Sequence, residues 1–356
     1  MAQQTLSPQQ KAILFQQATR QNYQMLASKK VSGEVETIQF DLPKTRLLSK
    51  IVLEVEAVAT LKSSSATIAL APFSPYEILR RISLDLNNGF APYVVSGREA
   101  YLYNMMRLNP DVLKPSTTAA RGMTYIENSA SAAGKDAKIK FQVALPVTLN
   151  DRDTTGLVLL QNEQTNVVLK IDVDTLAKAY KLNTGNGDEV TFKSMTINAM
   201  METFSIPPIE DAFPDITVIK LVDAKGESFA GNGQNIVPLR TGTIYRKLVF
   251  LFEDNDGNPI KDDDFSGNLE LVFNGADIPY SIKPSVLSGI NHSQLGYPMQ
   301  DGIYVWDFTN QGIPNLGGSR DYIDTERLTE FWVRFSTQKA GKVTIVSEKL
   351  SRLLQG

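Results

Sequence analysis

Apolar and polar residues alternate along most of this chain. Ile38, Phe40 and Leu42 are separated by polar neighbours. Ile51, Leu53, Val55, Ala57 and Ala59 interleave with Val52, Glu54, Glu56, Val58 and Thr60, and Ile82, Leu84 and Leu86 repeat the rhythm. A period of two sends neighbouring side chains to opposite faces of a sheet, so each run predicts a strand with one buried face. Further strands are expected at 139–147, 156–161, 166–173 and 190–204, then near 216–222, 243–253, 268–273, 278–282, 302–308, 328–336 and 342–349. Asn87-Asn88-Gly89 and Asp254-Asn-Asp-Gly257 carry turn signals. Residues 115–137, rich in Ser, Thr, Ala and Gly, read as a long exposed loop. Ser96-Gly-Arg-Glu99 is a capping box that opens a short helix, and a matching helix follows Pro284. Many short strands joined by turns predict a sandwich or barrel, and about eight per half suit a jelly roll.

The beginning of the chain has a different period. Ser7 as N-cap, Pro8 at the first helical position and Gln10 closing a capping box predict a helix over residues 7–28. At 100° per residue Leu14, Phe15, Tyr23 and Leu26 share one half of the cylinder, while Gln16, Gln17, Arg20, Gln21 and Gln24 share the other. Such a helix would be about 30 Å long. Lys29, Lys30, Ser32 and Gly33 end it.

The second half of the chain echoes the first. Ile82-Ser-Leu-Asp-Leu-Asn-Asn-Gly-Phe-Ala-Pro-Tyr-Val-Val95 aligns without a gap on Leu269-Glu-Leu-Val-Phe-Asn-Gly-Ala-Asp-Ile-Pro-Tyr-Ser-Ile282, at an offset of 187. Asn87, Pro92, Tyr93 and Asn104 meet Asn274, Pro279, Tyr280 and Asn291. Lys50–Glu56 matches Lys247–Glu253 at 197, Val167–Ile171 resembles Phe331–Phe335 at 164, and Met195–Ile197 resembles Val343–Ile345 at 148. The order is kept while the offset shrinks, as expected if the first copy has longer loops. Half a chain repeated once means two copies of one domain. The expected division is a helical arm over 1–33, a first roll over 34–205, a stiff connector at Ile206-Pro-Pro-Ile-Glu-Asp-Ala-Phe-Pro214, and a second roll over 215–356.

Composition narrows the chemistry. A chain of 356 residues fits two ordinary domains. It has no cysteine, which removes disulfides, thiolate metal sites and thiol catalysis, and its one histidine is His292. Net charge is −3 with no basic stripe, so no direct nucleic-acid partner is expected. No apolar stretch is long enough to span a bilayer, and the glutamine-rich start lacks the pattern of a signal peptide, so a soluble, non-exported protein is expected. No nucleophile elbow, phosphate loop, zinc helix or dinucleotide fingerprint is present, and no cofactor is expected. The acidic run Asp254, Asp256, Asp262, Asp263 and Asp264 is the calcium candidate, although its spacing misses the EF-hand pattern and a solvated hairpin is the simpler reading. Glu54 and Glu56 share a strand face and could mimic a glycosidase pair, although a solvent-facing strand edge is the simpler reading. The chain is expected not to be an enzyme.

Leu6-Ser7-Pro8-Gln9-Gln10 in a Gln-rich helix and Val35-Glu36-Thr37-Ile38-Gln39-Phe40 opening the first roll resemble the major capsid protein of tectiviruses, tailless phages with a membrane inside the shell. Length and the two-copy plan agree over the whole chain. The resemblance implies an all-β fold of two tandem eight-stranded jelly rolls with an N-terminal amphipathic helix. It also implies homotrimers whose six similar walls make a pseudo-hexagonal tile of an icosahedral shell. Partners would then be further copies of the chain, together with vertex and membrane-associated virion proteins, in a virion assembled in the host cytoplasm. Leu14, Phe15, Tyr23 and Leu26 would form an assembly arm, and Arg20, Lys29 and Lys30 would be the candidate contacts to anionic lipid headgroups. The rival expectation is a tandem β-sandwich that binds or cleaves carbohydrate. It requires Tyr93, Tyr280, Trp306 or Trp332 around an open acidic cleft.

Overall fold

The computed structural model describes residues 8–33, 35–87, 89–108, 110–119, 122–149, 154–162, 164–309 and 322–352. The chain forms two compact units, Met1–Lys220 with Arg352–Gly356, and Leu221–Ser351. The division falls inside a strand, just beyond the proline-rich connector.

The first unit opens with α1 (Pro8–Ala18). Its strands are β1 (Gln21–Met25), β2 (Glu36–Asp41), β3 (Leu47–Lys62), β4 (Leu79–Leu86), β5 (Phe90–Val95), β6 (Lys135–Pro146), β7 (Val167–Val173) and β8 (Glu189–Phe204). One sheet has the order β1-β8-β3-β6 and the other β5-β4-β7-β2. In β3 the odd-numbered Ile51, Leu53, Val55, Ala59 and Leu61 are fully buried, while Lys50, Val52, Glu54 and Glu56 lie on the outer face. α2 (Gly97–Met105) follows β5, and its capping box is the predicted one: Ser96 Oγ accepts from Glu99 N, and the Glu99 carboxylate accepts from Ser96 N at 2.7 Å.

The second unit uses β9 (Val218–Phe229), β10 (Gly233–Pro238), β11 (Ile244–Asp254), β12 (Leu269–Phe273), β13 (Asp277–Ile282), β14 (Ile303–Asp307), β15 (Phe331–Thr337) and β16 (Gly341–Arg352), with α3 (Pro284–Leu295) after β13. Its sheets run β9-β16-β11-β14 and β13-β12-β15-β10. Adding eight to every strand number of the first unit reproduces the second, so the chain is one jelly roll built twice. Between the two sheets of the second roll lies an aromatic core. Phe252 meets Phe335 at 4.9 Å, and Tyr245 meets Phe331 at 5.0 Å, both edge-on as the ring quadrupoles prefer.

The repeat seen in the sequence maps onto equivalent strands. Residues 82–95 and 269–282 are the hairpins β4–β5 and β12–β13. Asn87 and Asn274 both take positive φ (53° and 50°), a backbone state that asparagine tolerates better than most side chains.

Three expectations need correction. The N-terminal helix ends at Ala18, not at residue 28, and residues 21–25 form the first strand of the first roll. Thr19 closes the helix by bonding the Phe15 carbonyl through both N and Oγ1. Arg20 then starts a ladder: its N donates to Ser205 Oγ and its carbonyl accepts from Ser205 N, both at 2.9 Å. Lys29–Val31 continues along β8. The strand Gly233–Pro238 was not among the predicted elements. The predicted exposed loop at 115–137 contains buried Thr124 and Ile126, and its end belongs to β6. The predicted cap Ser7 lies outside the described residues.

Candidate assembly surfaces

The N-terminal segment is fastened to the first roll rather than projecting from it. Phe15, 3% exposed, sits with Leu47 and Leu157, and its ring meets Phe204 edge-on at 5.5 Å. Leu14 beside it is half-buried. Tyr23 and Leu26, placed by helical spacing on the same face, instead belong to an extended edge. Tyr23 pairs with Glu202 across the ladder and is 64% exposed, and Leu26 is half-buried with its N donating to the Ala199 carbonyl at 2.8 Å. Arg20, Lys29 and Lys30 are all exposed. Leu14 and Phe15 lie on the helix, whereas Tyr23 and Leu26, which helical spacing put on the same face, follow it in extended backbone.

The outer face of the β1-β8-β3-β6 sheet carries a row of apolar side chains, Met25, Met200, Val52 and Ala144, each opposite the next. Next to it a groove of about 720 Å³ is lined by Leu108, Val112, Met123 and Thr124 as well as Val52 and Ala144. Its charged wall is internally paired. Lys140 Nζ lies 2.9 Å from Glu54 and 2.5 Å from Glu56. Partial burial pushes the Glu54 carboxyl up, but the Lys140 hydrogen bond and charge, with Asn198 and Gln142, outweigh it and hold Glu54 below the usual range. Lys140 is raised by the same two partners. Glu54 and Glu56 are bridged by one ammonium on a single strand face, not set on opposite sides of a cleft as a pair flanking a glycosidic bond would be.

Three of the five aspartates have separate partners. Asp254 Oδ1 accepts from Asp256 N (2.9 Å) and Asn258 N (2.8 Å), closing its own turn. These bonds hold its carboxyl below the usual value. Asp262 accepts from Tyr304 Oη (2.7 Å) and Ser288 Oγ (3.1 Å), while Asp264 pairs with Lys339 at 2.8 Å. Among the described residues no three acidic or histidine side chains gather as a metal-holding group.

Nor do the aromatics line a cleft. Tyr93 and Trp306 are buried, and Tyr280 packs on Trp306 (6.1 Å) and Phe308 (5.3 Å). Trp332 is half-buried on β15. Sequence reasoning missed the buried Lys220, whose Nζ donates to the Thr148 carbonyl (2.6 Å) and contacts Tyr103 Oη (3.1 Å). No sequence signal marks it, because only the tertiary fold removes that ammonium from water. Among the described residues no helix is long and apolar enough to cross a membrane.

No protein-family model matches the chain, and no curated protein matches it in sequence. Solved structures do match in fold. The major capsid protein of STIV (Sulfolobus turreted icosahedral virus) aligns with a TM-score of 0.68 at 13% identity, over 94% of this chain and 97% of that one. A chain of the PBCV-1 virus capsid gives 0.65 at 12%, over 95% and 96%. The major capsid protein of bacteriophage PM2 gives 0.57 at 10%, over 95% and 99%. The double jelly roll is therefore the fold these chains share.

Proposed function

We propose that this chain is a structural major capsid protein that forms pseudo-hexameric homotrimers and tiles an icosahedral shell around an internal membrane. The observation that carries the reading is the exact repetition of strand order in two rolls, over a length that viral major capsid proteins match almost end to end. A trimer of doubled rolls has six similar walls, which suits a hexagonal lattice, and closed cyclic symmetry needs only one type of heterologous contact. An obligate trimer of this kind buries about 2,000–5,000 Å² per interface. The chain then acts without catalysis, in the virion, with copies of itself and with vertex and membrane-associated proteins as partners. The N-terminal segment fits a clip between subunits at the inner surface, where Arg20, Lys29 and Lys30 would meet anionic headgroups. So few cations give little membrane affinity alone.

The carbohydrate reading is not favoured, since Tyr93 is packed in the first roll and Tyr280, Trp306 and Trp332 are packed in or against the second. Light scattering of the purified protein at low micromolar concentration tests the proposal. A stable three-chain particle that forms hexagonal tiles on a grid supports it. A clean monomer that persists on concentration removes it.

A further inference from the structure

The two rolls are alike in strand order and unlike in which equivalent positions are covered. On the outer face of the first roll Val52, Met200 and Ala144 are half-exposed, while the residues at the same ladder positions of the second roll, Val249, Val346 and Val305, are buried. The helices show the reverse. Leu102, Tyr103 and Met105 of α2 are buried, whereas Gly289, Ile290 and His292, which align with them at the offset of 187, are exposed on α3. Each roll therefore leaves open the face that its twin has covered.

α3 has the composition of an interface core, and the open face of the first roll sets its apolar row beside the charged residues Lys50, Glu54 and Lys140. α3 carries no Asp, Glu, Lys or Arg from Pro284 to Leu295, yet it exposes Val286 (51%) and Ile290 (37%) one turn apart. Charge depletion around exposed apolar side chains marks surfaces that become buried on association. The open face of the first roll presents Met25 (60% exposed) and Tyr23 at its β1 edge, and the groove described above lies over its β3 and β6 strands. Net charges are opposite. Residues 1–33 hold four cationic side chains and no acidic one, and residues 254–301 hold eight acidic side chains and two lysines. Of these, Asp262 and Asp301 line a cavity against α3 together with Ser288 and His292.

From these observations we infer that the outer sheet face of the first roll, with Met25 and the edge strand that Arg20 and Lys29 flank, receives α3 of the second roll of another copy of the same chain. The contact is heterologous, so a copy bound at one face still offers the other, and the chain adds head to tail until a ring closes. This rests on the capsomer reading above and identifies the surfaces that reading requires.

The test uses two full-length variants, Val286→Asp and Met25→Asp, compared with the unaltered chain by light scattering. An acidic residue in the first turn of α3 suits the helix dipole, and Met25 is on an exposed edge, so both variants should fold, which circular dichroism checks. Each alone is expected to lose the trimer and run as a monomer. Mixed in equal amounts they should form a dimer and go no further, because each keeps the face the other lacks. Variants that stay trimeric, or a mixture that stays monomeric, overturn this pair of faces while the capsomer reading stands. An unaltered chain that is itself monomeric overturns both.

Discussion

Asn291 grips the backbone of Val305 from both sides: its Nδ2 donates to the Val305 carbonyl at 2.7 Å, and its Oδ1 accepts the Val305 N–H at 2.9 Å. In the first roll Asn104 donates to the Ala144 carbonyl at 3.1 Å, at the equivalent strand position, while its Oδ1 has no hydrogen-bond partner among the described residues. Both asparagines are 1% exposed. Truncating Asn291 strands a buried donor and acceptor, whereas truncating Asn104 strands one acceptor. Asn291→Ala should therefore cost about 2–4 kcal/mol and Asn104→Ala roughly half that. Urea melts followed by fluorescence compare them, and equal shifts in midpoint would contradict the account.

Asn274 joins the turn after β12 to the entry of β15. Its N donates to the Glu330 carbonyl (3.0 Å), and its Oδ1 accepts from Thr329 N (2.9 Å) and Oγ1 (3.0 Å). Asn87 repeats the pattern with Asn166, N to O at 2.8 Å and Oδ1 from N at 2.7 Å. Because φ is positive, Asn274→Ala loses the acceptor and adds backbone strain of about 1–2 kcal/mol. Asn274→Gly loses the acceptor alone. Glycine should thus melt closer to wild type than alanine, the reverse of the order at an ordinary strand or helix position.

These paired asparagines also explain what could be read from the sequence. The β4–β5 and β12–β13 hairpins need a particular turn residue, so their resemblance survived as identities rather than as bare alternation. Strands buried on one face, such as Leu47–Lys62, declare themselves by period. Gln21–Met25 does not, since an edge strand of Gln, Asn, Tyr, Gln and Met has no buried face to set a rhythm, and a preceding helix lends it helical phase. Gly233–Pro238 is nearly silent too, because Val237 is its one fully buried residue and a single buried position sets no period. Phe15 was legible as part of an apolar face. Nothing local told that its partners would be Leu47, Leu157 and Phe204, far along the chain. The open faces of the two rolls became visible only by comparing burial at positions the repeat had already aligned.

Tyr76, Tyr180, Tyr245 and Tyr304 all have phenols pushed well above their ordinary value, chiefly by burial. At Tyr304 the hydrogen bond to Asp262 adds to the effect. A raised folded pKa means the native state holds protons that the unfolded chain releases. Their contribution is complete below pH 10, the unfolded value, and shrinks as pH climbs above it. Native protein should therefore ionise its exposed tyrosines gradually and these four only in a cooperative step that coincides with unfolding. Absorbance at 295 nm followed beside circular dichroism checks this, and ionisation of all twelve tyrosines before any loss of structure would refute it.

Phe15 should decide whether the N-terminal segment stays on the first roll. It is the one residue of α1 that is buried among those whose side chains are described, and it makes edge-on contact with Phe204. Phe15→Ala removes the ring and leaves a cavity between Leu47 and Leu157, at a cost of about 3–5 kcal/mol. An 11-residue helix has little stability of its own, so that loss exceeds what α1 can recover by propensity, and it should detach and fray. Leu14→Ala, at a half-buried position, should leave it docked. Trypsin reports the difference, because Lys11 and Arg20 flank Phe15 and a frayed helix exposes both bonds. The Phe15 variant is expected to be cut there at least tenfold faster than wild type while the rolls resist digestion. Equal cutting rates would mean that the ladder begun by Arg20 and Ser205, not the Phe15 ring, holds the segment in place.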